Sequence, residues 1–171
     1  MMLRPENINS LISRFKEESA EIKEMGFKAL KMKVGVGPKD DIKLIEAVRE
    51  GIGDNFRFMV DANHGYTTHD ALYVGRAMEE FSPYWFEEPV APEDLDGYRE
   101  LRAFLKVNIS GGEAEFNRWG WRKLLESRGL DIAQPEVCAL GGISEYLRVL
   151  ALCHSHFTPV VNHVWLSLIH I

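Results

Sequence analysis

Six short stretches place acids, bases or amides directly after an apolar run. They are Leu30-Lys31-Met32-Lys33, Val60-Asp61-Ala62-Asn63, Trp85-Phe86-Glu87-Glu88-Pro89, Ser110-Gly111-Gly112-Glu113, Gln134-Pro135-Glu136 and Asn162-His163. Asp61, Glu87 and Glu113 are hard oxygen donors of the kind Mg²⁺ prefers. Brought together without a cation, they would repel one another. Lys31 and Lys33 are two residues apart, so both face one side of a strand, with Leu30, Met32 and Val34 on the other. A lysine beside a second cation and a metal is expected to have a lowered pKa and to act as a base. His163 and Glu136 could form an oriented acid–base pair opposite the lysines. Each cluster alone has an ordinary explanation: a solvated strand face, a helix cap or a structural histidine. What argues for chemistry is that all six share one register.

The elements that would position these residues alternate strictly. Helices are expected over 7–25, 40–50, 68–81, 94–105, 116–127 and 143–153, where apolar residues recur with helical spacing. Strands are expected over 27–34, 56–61, 84–87, 107–110, 131–133 and 158–161. Gly26 is placed as a C-cap and Thr67 or Thr68 as an N-cap. Such alternation predicts parallel βαβ units. An open dinucleotide-binding sheet should carry G-x-G-x-x-G after its first strand. Gly35-Val36-Gly37 starts that pattern, but Asp40 stands where the third glycine belongs. A (β/α) barrel instead collects functional groups at the C-terminal ends of several strands, which is the arrangement seen here.

Bulk properties exclude several classes. Of 171 residues, 46% are hydrophobic and 27% charged, enough for a real core, and the net charge of −6 supplies no basic field for nucleic acid. No run is apolar enough to span a bilayer, and the first nine residues do not read as a secretory signal. Cys138 and Cys153 are expected to be reduced thiols, which points to the cytoplasm.

Together these segments resemble the enolase superfamily, in the mandelate racemase and muconate lactonizing enzyme group; Gly141-Gly142-Ile143 adds to the match. The resemblance covers nearly the whole chain. It implies an α/β fold, a partial TIM-type barrel holding about strands two to seven of a (β/α)7β barrel. The N-terminal capping domain, the first strand and the last strand are expected to be missing. It implies Mg²⁺ as cofactor, held by Asp61, Glu87 and Glu113. Lys33 would be the base, Lys31 its electrostatic partner, and His163 the second acid–base residue, held by Glu136. Lys31, Asn63 and Trp165 are candidate substrate contacts, with ordinary packing an equal alternative for Trp165. Members with the histidine dyad usually carry Asp where this chain has Glu136, so the longer side chain puts its contact with His163 in question.

The activity implied is Mg-dependent removal of a proton α to a carboxylate through an enediolate, a mechanism known for this superfamily. The first expectation is dehydration of an acid sugar. Alternatives are a racemase or epimerase, and a non-catalytic incomplete chain; His163 argues against a cycloisomerase with lysines on both sides. The partner expected is a small carboxylate, not nucleic acid or membrane, with a homo-oligomeric parent. His64, His69, His154 and His156 are read as surface or helix-end residues, His64 being near enough to the metal strand to touch substrate. No role is given to His170.

Overall fold

The structure is a computed structural model and describes residues 7–164. It opens with helix α1 (Ile8–Glu24), whose Asn7 side chain caps the first turn. Five strands and five helices then alternate. They are β1 (Ala29–Lys33), α2 (Pro38–Ile52), β2 (Arg57–Asp61), α3 (Thr68–Met78) and β3 (Trp85–Glu87), then α4 (Leu95–Phe104), β4 (Asn108–Gly111), α5 (Arg118–Glu126), β5 (Ile132–Ala133) and α6 (Ile143–Ser155). A 3₁₀ turn, Glu79–Phe81, extends α3. Thr67 caps α3 through Asp70 N–H, and Asp94 caps α4 through Gly97 N–H.

The strands lie in the order β1-β2-β3-β4-β5, all parallel. Each βα unit therefore steps the same way around. A doubly wound sheet would reverse direction at a switch point; a barrel does not. The fold is a partial (β/α) barrel.

One expected element is corrected. Residues 158–161 form no strand. Two isolated parallel bridges, Ala133 with Val160 and Glu136 with His163, continue the sheet in their place. Pro135 and Pro159 have no N–H, so a continuous ladder cannot form there. The carbonyls of both prolines still accept, from His163 and Ala133.

Alternation along the strands divides apolar from polar. Phe58, Val60, Phe86 and Ile109 are fully buried in the core shared with Leu44, Ile45, Val48, Val74, Met78, Leu101 and Trp121 of the helices. Full burial of side chains of this size is worth about 1.5–3 kcal/mol each. The opposite face carries Lys31, Asp61, Glu87 and Ser110, aligned by the register pairs Lys33–Asp61, Asp61–Glu87 and Glu87–Ser110.

Candidate active site

The turn after β1 is built on Asp41 of α2. Its buried carboxylate accepts the backbone N–H groups of Gly35, Val36 and Gly37 at 3.1, 3.1 and 2.9 Å, and the Tyr66 hydroxyl at 2.7 Å. The Gly35-Val36-Gly37 segment is thus a carboxylate-bound turn that fixes the exit of the lysine strand. After β4, Gly112 has φ +113, and a Cβ there would lie 2.3 Å from the Trp121 ring. Only glycine allows that approach, which sets the position of Glu113.

From these supports a charged network runs across the strand ends. Lys31 Nζ lies 2.5 Å from Glu87 Oε1 and 2.9 Å from Asp61 Oδ2. Lys33 Nζ lies 2.6 Å from the same Asp61 oxygen and also donates to Asn63 Oδ1. Asp61 Oδ1 accepts the Asn63 backbone N–H at 3.1 Å, and Glu87 Oε2 accepts the Trp85 indole N–H at 2.8 Å. Asp61 and Glu87 are 0% and 1% exposed. Farther round, His163 bridges two carboxylates, with Nε2 2.8 Å from Glu113 and Nδ1 3.0 Å from Glu136. The extra methylene of Glu136 therefore does not prevent its contact with His163.

Burial raises the Asp61 carboxyl, but hydrogen bonds and charge from Lys33 and Lys31 outweigh it and bring it below the usual range. Burial lowers Lys31, yet Glu87 and Asp61 leave it raised overall. Two buried carboxylates touch the Lys31 ammonium and favour its charged form.

Residues 14–171 match the family model described as enolase C-terminal domain-like. The chain belongs to the enolase superfamily. Within its mandelate racemase and muconate lactonizing group, it is 43% identical over 148 residues to D-galactarolactone cycloisomerase of Agrobacterium fabrum, covering 86% of this chain and 39% of that protein. It is 34% identical over 153 residues to arabinonate dehydratase of Saccharolobus solfataricus, covering 89% and 41%. Among solved structures, 3,6-anhydro-D-galactonate cycloisomerase from Zobellia galactanivorans superposes with a TM-score of 0.88 at 43% identity, covering 91% of this chain and 44% of that one. A Streptomyces coelicolor racemase with bound magnesium superposes at 0.83 and 31% identity, covering 89% and 43%. The chain thus spans about two fifths of the length of these curated relatives.

Set within this superfamily, the carboxylates can be tested for a cation. Asp61 Oδ2 and Glu87 Oε1 face one point, where Lys31 Nζ lies. Glu113 is near enough that its charge, with those of Asp61 and Glu87, acts on Glu88. Among the described residues no three acidic, histidine or cysteine side chains are spaced to hold an ion as they stand, since Glu113 is turned to His163. The donor set of three carboxylates fits a hard cation in kind, with one oxygen each of Asp61 and Glu87 already convergent.

Sequence reasoning gave no role to Glu88, Trp85, Ser110 or Gln134. Glu88 is 1% exposed and has φ +41; burial first, then the charges of Glu113, Asp61 and Glu87, push its carboxyl up to about 8. His64 is more involved than a surface histidine: its Nε2 lies 3.0 Å from Glu88 Oε2, and its backbone N–H donates to the Glu88 carbonyl. The side-chain pair is not aligned as a hydrogen bond, and Glu88 Oε2, His64 Nδ1, Ser110 Oγ and Gln134 Oε1 are buried without hydrogen-bond partners among the described residues. Alternation could have placed Ser110 and Trp85 on the inner face; the left-handed backbone at Asn63, His64 and Glu88 had no such signal. Trp165 and His170 lie outside the described residues.

Proposed function

We propose that this chain carries the proton-transfer groups of an enzyme that removes the proton α to the carboxylate of an acid sugar and expels the β-hydroxyl as water. The observation that carries this reading is the placement of Lys33 and His163. Lys33 ends β1, at one margin of the strand-end face, and His163 follows β5 at the other. The carboxylates of Asp61, Glu87 and Glu113 lie between them in sheet order.

In this reading Lys33, in its uncharged form, takes the α-proton. Asn63 and Asp61 hold its Nζ in place, and Lys31 adds positive charge where the substrate carboxylate gains negative charge. Glu136 holds Nδ1 of His163, so Nε2 is the atom that protonates the departing hydroxyl. Asp61, Glu87 and Glu113 would hold Mg²⁺, which would stabilise negative charge on the substrate carboxylate as the proton leaves.

The 43% identity to two cycloisomerases favours a second reading. If the β-oxygen belongs to a ring of the substrate, the same elimination opens the ring and expels no water. The test uses the full-length enzyme with Mg²⁺ and a panel of acid sugars and their lactones or anhydro forms in D₂O. Apart from deuterium gained from solvent, dehydration lowers product mass by one water, ring opening conserves mass, and racemisation returns the substrate inverted at the α-carbon. Lys33→Ala should lower α-deuterium incorporation by about 10²–10⁴-fold, and His163→Asn should block product formation. Wild-type exchange in the Lys33→Ala, His163→Asn double variant would end the proposal.

A further inference from the structure

The two convergent carboxylates divide their oxygens in the same way. Asp61 gives Oδ1 to a backbone N–H, that of Asn63 at 3.1 Å, and Oδ2 to Lys31 and Lys33. Glu87 gives Oε2 to the Trp85 indole at 2.8 Å and Oε1 to Lys31 at 2.5 Å. Each therefore has one oxygen held by an uncharged donor of the strand end, and one facing an ammonium on a flexible stem.

Trp85 is suited to this work. It lies two residues before Glu87 on β3, so both side chains emerge on the same face. It is 8% exposed beside a glutamate that is 1% exposed, so water does not compete freely for the bond. Indole has one N–H and no acceptor, so it cannot ligate a cation or change its role. An ion chelated by both oxygens of Glu87 would compete with this donor for the Oε2 lone pairs.

We propose that Trp85 is a positioning residue that makes Glu87 a one-oxygen cation ligand, through Oε1, and thereby sets the selectivity of the site. This rests on the cation site proposed above. One oxygen from each carboxylate suits a six-coordinate ion with ligands at about 2.0–2.1 Å, as for Mg²⁺, better than Ca²⁺, which takes about six to eight ligands at roughly 2.3–2.6 Å and often chelates both oxygens. Removing the indole N–H frees Oε2, weakens binding of the smaller ion and relaxes exclusion of the larger one.

The test follows Mn²⁺ binding to the full chain through the electron paramagnetic resonance signal of the free ion, with Ca²⁺ as competitor. Wild type, Trp85→Phe and Glu87→Gln are compared. Trp85→Phe should bind Mn²⁺ about tenfold more weakly, as loss of an outer partner of a metal ligand commonly does, with Ca²⁺ binding kept or tightened. Glu87→Gln should lose binding of both ions. Unchanged Mn²⁺ affinity and unchanged Ca²⁺ competition in Trp85→Phe, with binding lost in Glu87→Gln, would overturn the role of Trp85 and leave the site standing. Wild type that binds no better than Glu87→Gln would instead remove the site, and this inference with it. If far-ultraviolet circular dichroism shows that Trp85→Phe does not fold, a Mn²⁺-bound crystal structure of wild type decides. Glu87 bound through Oε1 with the indole bond kept supports the proposal; both oxygens on the ion overturn it.

Discussion

The two ends of the same sheet are built on opposite electrostatic terms. At the N-terminal end, the Arg49 guanidinium is 8% exposed and donates to the carbonyls of Phe81, Gly53, Phe56 and Ser82 at 2.8, 2.9, 2.8 and 3.2 Å. It also lies 5.1 Å from the centre of the Phe58 ring. One buried charge there meets four neutral carbonyl acceptors. At the C-terminal end, Asp61, Glu87 and Glu88 are buried together, with Glu113 close by, and Asn63, His64 and Glu88 have φ of +42, +64 and +41. A cavity of about 590 Å³ lies at the Arg49 end, among Lys28, Asp54, Arg57, Tyr84 and Lys106. The C-terminal end buries several carboxylates together where the other buries one guanidinium among carbonyls, and the C-terminal end is where function is expected in a barrel.

The contrast can be broken most visibly at Glu88. Its ordinary value is 4.5, and burial with nearby carboxylates raises it to about 8 in the fold. The unfolded chain releases this proton near 4.5 while the folded chain keeps it. Wild type must therefore lose stability as pH rises from 4.5 to about 8, and level off above that. Glu88→Gln has no proton to hold. Urea unfolding of both proteins in a chelating buffer should show the variant gaining on wild type across that window. Each tenfold change in proton affinity is worth about 1.4 kcal/mol, so the gain amounts to a few kcal/mol. A constant difference between pH 5 and 9 would mean that Glu88 is not held neutral.

Arg49 should respond in the opposite sense. Arg49→Ala leaves its carbonyls to be satisfied by water or not at all, and should destabilise the chain by about 2–3 kcal/mol in urea. Arg49→Lys should recover only part, because an ammonium lacks the planar fork that reaches several carbonyls at once. Stabilisation by Arg49→Ala would end the contrast between the two ends.

A smaller effect is expected between α5 and α6. Arg118 binds Glu145 through its side chain and backbone N–H, with Arg148 assisting, and holds the Glu145 carboxyl down to about 2. A depressed carboxylate stabilises fully above its ordinary value of 4.5 and loses that contribution as pH falls towards about 2. Arg118→Gln should make stability fall less steeply over that range and leave its pH dependence unchanged between pH 6 and 8. Acid titrations of the two proteins that differ by a constant offset would refute the pairing.

Much of the frame was legible in one dimension. Strands β1 to β4 show the period-two exchange of apolar and polar side chains, and α3 begins at Thr67, one of the two residues read as its cap. The last expected strand was not legible as two bridges, because a pattern of apolar residues does not register the N–H groups missing at Pro135 and Pro159. Gly35-Val36-Gly37, which starts a dinucleotide-binding pattern that Asp40 breaks, is a turn in the structure, and the carboxylate that binds it, Asp41, was anticipated only as part of a helix.

By itself the sequence determined the alternation of elements, the family, and which acids and bases stand at strand ends. These follow from residue type and spacing, which survive without coordinates. Only the tertiary structure decided how those groups are paired. Lys31 joins Asp61 to Glu87, Glu113 turns to His163, Trp85 claims one oxygen of Glu87, and Glu88 is buried beside His64. The physical reason is that partner choice depends on rotamers, left-handed turns and contacts between distant segments, whose energies are settled only when the barrel brings them within a few ångströms.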